Sequence, residues 1–354
     1  MIRGIIIFFI LSAFLFGGWE DKININGFYS FEYENRIDSF AHDEGDPNGS
    51  FDSDLFDLVF NIKPSPNIRV AADLTWEHGS ATEDNRGNVA VEYAFGEYMY
   101  NELLKFRAGK MYTAFGIYNE IHTAKPAMVN FKEPLTTNKI HKIGGDVNYF
   151  PRWGTGLGLY GNTRNIEYSL QITNGYMEPT GDDFNPYSED DNANKAITAR
   201  IKAFISGHEI AFSMYHDTFV DYNASDVAQG SGELKSYGMH AISDLNDNLT
   251  FQIEAIYGEL QYNNSNIIER YSYSFMPVYD ISDSIRIYYI YEYFDPNLLL
   301  TNDNVVINSF GLNVQIAPST FIKSEIYYVN SKDANSKLFG NDYAEFRAAF
   351  VIGF

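Results

Sequence analysis

The sequence predicts an all-β fold: a transmembrane, antiparallel, up-and-down β-barrel of about sixteen strands. Three observations carry that expectation. Segment after segment alternates apolar and polar residues with a period of two, which is the period of a strand and not of a helix. The connectors between these segments alternate between short turns and long polar loops, the layout of a barrel with one blunt and one elaborated end. The composition is rich in aromatics yet poor in long apolar runs. The 354 residues include 27 Tyr and 28 Phe but only 3 Trp, and the mean hydropathy is −0.27. After the first eighteen residues no apolar run approaches the roughly 20 residues of a spanning helix, so a helical membrane protein is excluded. Alternation reconciles the two facts, because half of each strand faces lipid and half faces water.

The segments follow in order. Residues 1–18, MIRGIIIFFILSAFLFGG, place Arg3 before an apolar core from Ile5 to Phe16. Twelve apolar residues are too few to span a bilayer and match the anatomy of a signal peptide, with cleavage expected near Gly18. The remainder, 19–354, reads as one barrel. Residues 23–36 repeat IxIxGxYxFxY, with Asn26, Ser30, Glu32 and Glu34 between. Residues 53–63 and 68–77 flank the turn PSPN and form the cleanest amphipathic hairpin. In it Phe56, Leu58, Phe60 and Ile62 face one way, while Arg69, Asp73 and Glu77 fall on the polar face of the second strand. Further strands are expected near 88–98, 103–111, 154–162, 166–174, 195–205, 208–219, 235–245, 247–261, 267–277, 284–294, 304–316, 319–330 and 341–354. In the last of them Phe346, Phe350, Ile352 and Phe354 share an apolar face, and Glu345 and Arg347 lie on the other.

Short turns are expected at 64–67, 99–102, 162–165, 206–208, 244–247, 279–283 and 317–320. Longer loops are expected at 37–52, 80–87, 112–153, 175–194, 220–234, 262–266, 295–303 and 332–340. The loop at 112–153 is far the longest, and a structureless connector of that length needs a functional reason.

The run FRAGKMYTAFGIYNEIH (106–122), followed by GLGLYGN (156–162) and EYSLQITNG (167–175), resembles the phosphate-selective porin O/P group and related sixteen-stranded porins. The terminal phenylalanine, with apolar residues at every second position before it, resembles the C-terminal signature of bacterial outer-membrane proteins. These resemblances imply a passive diffusion channel for small hydrophilic solutes in the outer membrane. They also imply recognition of the last strand by the barrel-assembly machinery, contact with lipid and lipopolysaccharide, and a homotrimer. In such porins the third long loop folds inward and narrows the pore, and 112–153 occupies that position.

Charge refines the expectation. The net charge is −22, yet residues 103–153 hold eight basic residues and three acidic ones. If this loop lines a constriction, Lys105, Arg107, Lys125, Lys132 and Lys139 would make it locally positive and favour anions. By alternation Arg36, Arg69, Arg107, Arg200, Arg270, Arg286 and Arg347 face the lumen, as do Glu32, Glu34, Asp73, Glu77, Glu292 and Glu345. Opposed charges of this kind would set up a transverse field. The loops 37–52 and 175–194 are acidic with no Lys or Arg. Their carboxylates could take Ca²⁺ or Mg²⁺, and a surface barrel with cation-binding loops is the alternative to a porin. No other metal site and no cofactor is expected.

Catalysis finds little support. The seven histidines show no paired metal-ligand spacing, and no serine elbow motif occurs. Ser213 and His216 fall on opposite faces of their strand. The chain is therefore expected not to be an enzyme. The absence of Cys excludes a disulfide scaffold and a lipid-anchored lipoprotein. The negative charge argues against a nucleic-acid partner.

Overall fold

The computed structural model describes residues 22–36, 49–77, 89–121, 123–143, 147–175, 192–222, 228–263, 265–331 and 342–354. The expected signal peptide, 1–18, and most of the two acidic loops lie outside these residues. Within them the chain forms β1 (Ile23–Arg36), β2 (Ser50–Ser65), β3 (Ile68–Glu77), β4 (Ala90–Asn101), β5 (Leu104–Tyr112), β6 (Trp153–Asn162), β7 (Ile166–Thr173) and β8 (Ala196–Ile205). It continues through β9 (His208–Tyr222), β10 (Ala228–Asn246), β11 (Leu249–Gln261), β12 (Ile268–Ser282), β13 (Ile285–Asp295), β14 (Val305–Ala317), β15 (Thr320–Ser331) and β16 (Tyr343–Gly353). One short helix, α1 (Leu135–Asn138), and a 3-10 turn, Ile140–Ile143, sit in the connection between β5 and β6.

Each strand pairs with its sequence neighbours, and β1 pairs antiparallel with β16, so the sheet is a closed sixteen-stranded barrel. Closure leaves no edge, and a barrel without an edge satisfies every strand's backbone polar groups, as a lipid environment demands. At the seam Phe28 opposes Gly353 and Arg36 opposes Glu345. Phe354 extends the seam with two backbone bonds to Gly27, each 2.9 Å. The periodicity set out above is the periodicity of the wall. Phe346, Phe350 and Phe354 are exposed on the outside, whereas Val351 and Ala349 are buried inside. Outward aromatics pair across strands, as Phe31 does with Phe51 and Phe251 with Phe275.

One expected loop is mostly strand. The polar composition of residues 220–234 predicts a connector, but β9 and β10 pair out to Tyr222 and Ala228. A bulge between Ala228 and Gly230 absorbs the irregularity. β2 likewise begins at Ser50, inside the expected loop 37–52.

The connection between β5 and β6 enters the barrel. Its residues touch inward-facing side chains on strands from opposite sides of a closed wall, which only a segment inside the lumen can do. The ends of the connection are tied together, with the Thr113 amide donating to the Arg152 carbonyl (3.0 Å) and the Asn119 side-chain amide donating to both Thr113 and Arg152.

Candidate channel constriction

Loop three (113–152) packs in three stages. Its first stage runs along β7 to β11. The Ala114 amide donates to Gln171 (2.9 Å), the Gly116 amide to Ser213 (3.3 Å) and the Tyr118 hydroxyl to Gln252 (2.9 Å). Its middle crosses to β1, β2 and β13 to β15. Lys125 is buried and forms ion pairs with Glu32 and Asp54. Lys132 pairs with Glu34 at 2.7 Å and Glu32 at 3.0 Å. Lys323, 1% exposed, reaches in from β15 and donates to three loop carbonyls: Lys125 (2.7 Å), Met128 (2.6 Å) and Asn130 (3.1 Å). The last stage returns past β12 and β13. Thr136, on α1, donates from amide and hydroxyl to Glu292, and Arg270 donates to the Val147 and Asn148 carbonyls.

Hydrophobic packing completes the fit. Phe115, Ile140, Ile143, Val147, Tyr149 and Phe150 of the loop join Tyr215, Ile256, Phe294, Val305 and Val329 of the wall in one buried cluster. Two wall glycines make room for the rings. A Cβ on Gly238 would lie 2.5 Å from the Phe115 ring, and one on Gly258 would lie 2.8 Å from the Tyr149 ring.

The loop therefore packs against β7 to β16, against β1 and against Asp54 of β2, and leaves space beside the rest of the wall. A cavity of about 190 Å³ remains beside β2 to β5, lined by Asn61, Arg69, Tyr93, Phe95, Arg107, Tyr112 and Glu120 among others. Its charges are arranged by burial. Arg69 (3.0 Å) and Arg107 both pair with Glu97. The Glu97 side chain is 3% exposed, whereas those of Arg69 and Arg107 are 25% and 21% exposed. The arginines thus face the cavity with their counter-ion behind them. They are held flat by aromatic rings, with Arg107 lying 3.9 Å over Tyr160 and 4.8 Å over Phe95. Across the cavity the order reverses. Glu120 of loop three is a third exposed, and its partner Arg200 is buried behind it. Burial alone would raise the Glu120 pKa, but Arg200, Lys202 and Arg107 hold it below the usual carboxylate range. Positive wall and negative loop face each other across the gap.

The sequence-derived site residues separate into groups. Arg107 and Arg69 reach the cavity. Lys105 lies lower on β5 and bonds Asn162 at 2.8 Å. Lys125, Lys132 and Lys139 are in the lumen but are matched with acids, Lys139 with Glu133 at 3.2 Å. Burial alone would lower the Lys132 pKa, but Glu32, Asp54 and Glu34 raise it above the usual lysine value. Arg347 lies on the lumen side at the loop's far flank, pairing with Glu345 and bonding Tyr327. Arg286 pairs with Asp280 near a short turn, away from the loop. Asp73 is buried beside Asp57. Glu77 ends β3, with its side chain outside the described set. Ser213 is buried on the lumen side, while His216 is exposed and paired with Glu233. Lys323, Glu97 and Asp54 complete the arrangement. Parity alone places Lys323 and Glu97 on the inner face; Glu97 stands directly opposite Arg69 and Arg107 on the adjoining strands, whereas the partners of Lys323 are distant in sequence.

No protein-family model matches the chain. An uncharacterized protein of Aquifex aeolicus is 26% identical over 163 residues, a stretch covering 45% of this chain and 34% of that protein. The chain thus spans about a third of that relative's length. Among solved structures, the anion-selective porin from Comamonas acidovorans superposes with a TM-score of 0.69 at 9% identity, covering 94% of this chain and 99% of that one. The trimer form of OmpT, an outer membrane protein of Vibrio cholerae, gives 0.64 at 12% identity with coverages of 94% and 99%. The barrel, its strand count and its near-complete overlay give this chain the fold of an outer-membrane porin.

Proposed function

We propose that the protein is a passive outer-membrane channel for small hydrophilic solutes, not an enzyme. The observation that carries this reading is the inward course of loop three, which narrows the lumen to a charged gap beside β3 to β5. A surface barrel that used its loops for adhesion would have no need to anchor its longest connection inside itself.

The gap favours modest anion preference. Two arginines turn their exposed edges towards it, against one exposed glutamate, and charge acts strongly in a narrow space where screening is weak. Arg69 and Arg107 carry this preference. Lys125, Lys132 and Lys139 act mainly as anchors, since their charge is matched by Glu32, Asp54, Glu34 and Glu133. Lys105 adds positive charge on the approach. The porin architecture supports a homotrimer in the lipopolysaccharide-containing outer membrane, inserted through recognition of Phe346, Phe350, Ile352 and Phe354 on β16. Ca²⁺ or Mg²⁺ on the acidic outer loops would link the barrel to neighbouring lipopolysaccharide.

Reversal potentials across a KCl gradient test the selectivity. The expected result is mild anion selectivity that moves towards cations in Arg107→Gln and further in Arg69→Gln/Arg107→Gln. Cation selectivity in the unaltered protein, unmoved by either change, would hand control to the acidic outer loops.

A further inference from the structure

The gap beside β3 to β5 holds incompletely matched charge of both signs. Glu97 stands opposite Arg69 on one side and Arg107 on the other, so one carboxylate serves two guanidinium groups. One positive charge is left over. The two arginines are not equally committed. Arg69 donates from Nε (3.0 Å) and Nη2 (3.4 Å) to Glu97 and from Nη1 to Asn61 at 3.5 Å. Arg107 donates only its Nε to Glu97, and its two terminal nitrogens meet no carboxylate among the described residues. Rings fix that guanidinium, with Tyr160 centred 3.9 Å and Phe95 4.8 Å from it. The Tyr160 ring fits there because Gly158, opposite Arg107 on β6, has no side chain. A Cβ on Gly158 would come 2.5 Å from the ring. The planar edge of Arg107 stays open, and such an edge takes a carboxylate through two parallel hydrogen bonds.

Loop three brings the opposite sign. Glu120 lines the same cavity, and Arg200 engages its Oε2 at 2.5 Å. Its Oε1 has no hydrogen-bond partner among the described residues, and the surrounding cations keep the carboxyl ionised. Between the two charges the lining is aromatic. The ring centroids of Phe95 and Tyr93 are 5.6 Å apart, and those of Tyr93 and Tyr112 are 5.4 Å apart. A simple anion answers Arg107 and leaves Glu120 unmatched, whereas a simple cation meets the excess charge of the arginines. A solute with both charges on neighbouring atoms answers both sides at once, and an apolar substituent on it rests on the rings. The cavity, about 190 Å³, is small beside the roughly 300–1,000 Å³ of drug-sized sites, which restricts it to a small solute.

We propose that the gap binds a zwitterionic α-amino acid with an apolar side chain. Its carboxylate lies on the open edge of Arg107, its ammonium group on Glu120, and its side chain against Tyr93, Phe95 and Tyr112. The proposal deepens the channel reading and rests on it, since the pore is what brings solute to the gap. A site inside a channel must release what it binds, so affinity on the order of millimolar is expected.

Planar-bilayer recordings on the full-length barrel test the two readings in turn. They are made at about pH 6, where the solute's amine and carboxyl groups are both charged. Steps in KCl alone are read first, and their absence would overturn the channel reading and this proposal with it. L-Leucine is then added and is expected to lower the current saturably. N-Acetyl-leucine, which lacks the ammonium group, and leucinamide, which lacks the carboxylate, are each expected to need about tenfold higher concentration for the same block, the effect of losing one charge-assisted contact. In Glu120→Gln the preference for leucine over N-acetyl-leucine is expected to disappear, and in Arg107→Gln the preference over leucinamide. The comparison of the three solutes uses the unaltered protein and so does not depend on a variant folding. Clear steps that leucine does not block, or equal block by all three solutes, would overturn the site and leave the channel reading standing. Block by N-acetyl-leucine as strong as that by leucine would reduce the gap to a plain anion site and overturn the zwitterion assignment.

Discussion

Lys323 is the side chain on which the position of loop three most depends. Its ammonium group is buried and donates to three loop carbonyls, at Lys125, Met128 and Asn130. Removing the donor strands buried acceptors, at a typical cost of about 1–3 kcal/mol. Lys323→Met is therefore expected to leave the barrel folded but to loosen the loop. Single-channel recordings should show larger, noisier conductance steps, whereas unchanged steps would mean that the ion pairs of Lys125 and Lys132 suffice. Lys323 also marks the limit of sequence reading. Strand parity in TFIKSEIYYVNS puts it on the inner face, but its partners lie 193 to 198 positions away in the chain. Glu97 was within reach of sequence reading, since the hairpin register sets it directly opposite Arg69 and Arg107. Alternation tells which way a charge points, not which opposing strand or loop it meets.

Loop three, as an element, is a wedge with a charged lip and an aromatic body. The aromatic body rests on wall glycines. Gly258→Val would drive a branched side chain into the Tyr149 ring, a form of overpacking that typically costs about 1–3 kcal/mol. The expected outcome is a displaced loop, read as rapid protease cleavage within 123–143 while the barrel remains heat-resistant. The charged lip answers to pH. Glu120 titrates below its ordinary value when folded, so its contribution is full above the usual glutamate pKa of about 4.3 and is lost as pH falls through its lowered value. Lys132 is raised, so its contribution is full below the usual lysine value of about 10.4 and is lost only at higher pH. The Glu120–Arg200 pair is accordingly expected to stay formed at neutral pH and to release, with a change of selectivity, only in acid below the usual glutamate value. A selectivity change centred near pH 6 would point to another titrating group. Strands were the legible elements, because a period of two survives any neighbour. The β9–β10 tip was not, because its glycine and serine residues carry no alternation to read.

At the scale of the whole molecule, the closed ladder from β1 to β16 and the inward loop together define a pipe with a fixed obstruction. Barrel and strand number were readable from alternation and connector lengths. The share of the lumen taken up by loop three was not, because its packing is built from contacts between distant strands. Association is the first test at this scale. Mild detergent extraction is expected to yield a heat-sensitive species near three times the 40.3 kDa chain mass, and a monomer under the same conditions would count against a trimer. The most direct test of the channel reading is conductance itself. Folded wild-type protein in a planar bilayer is expected to give discrete, long-lived steps, and a variant with residues 123–147 replaced by a short glycine–serine linker is expected to give steps several-fold larger. Folded wild-type protein that inserts but conducts no current, or steps of equal size with and without the loop, would contradict the assignment of loop three as the constriction of a pore.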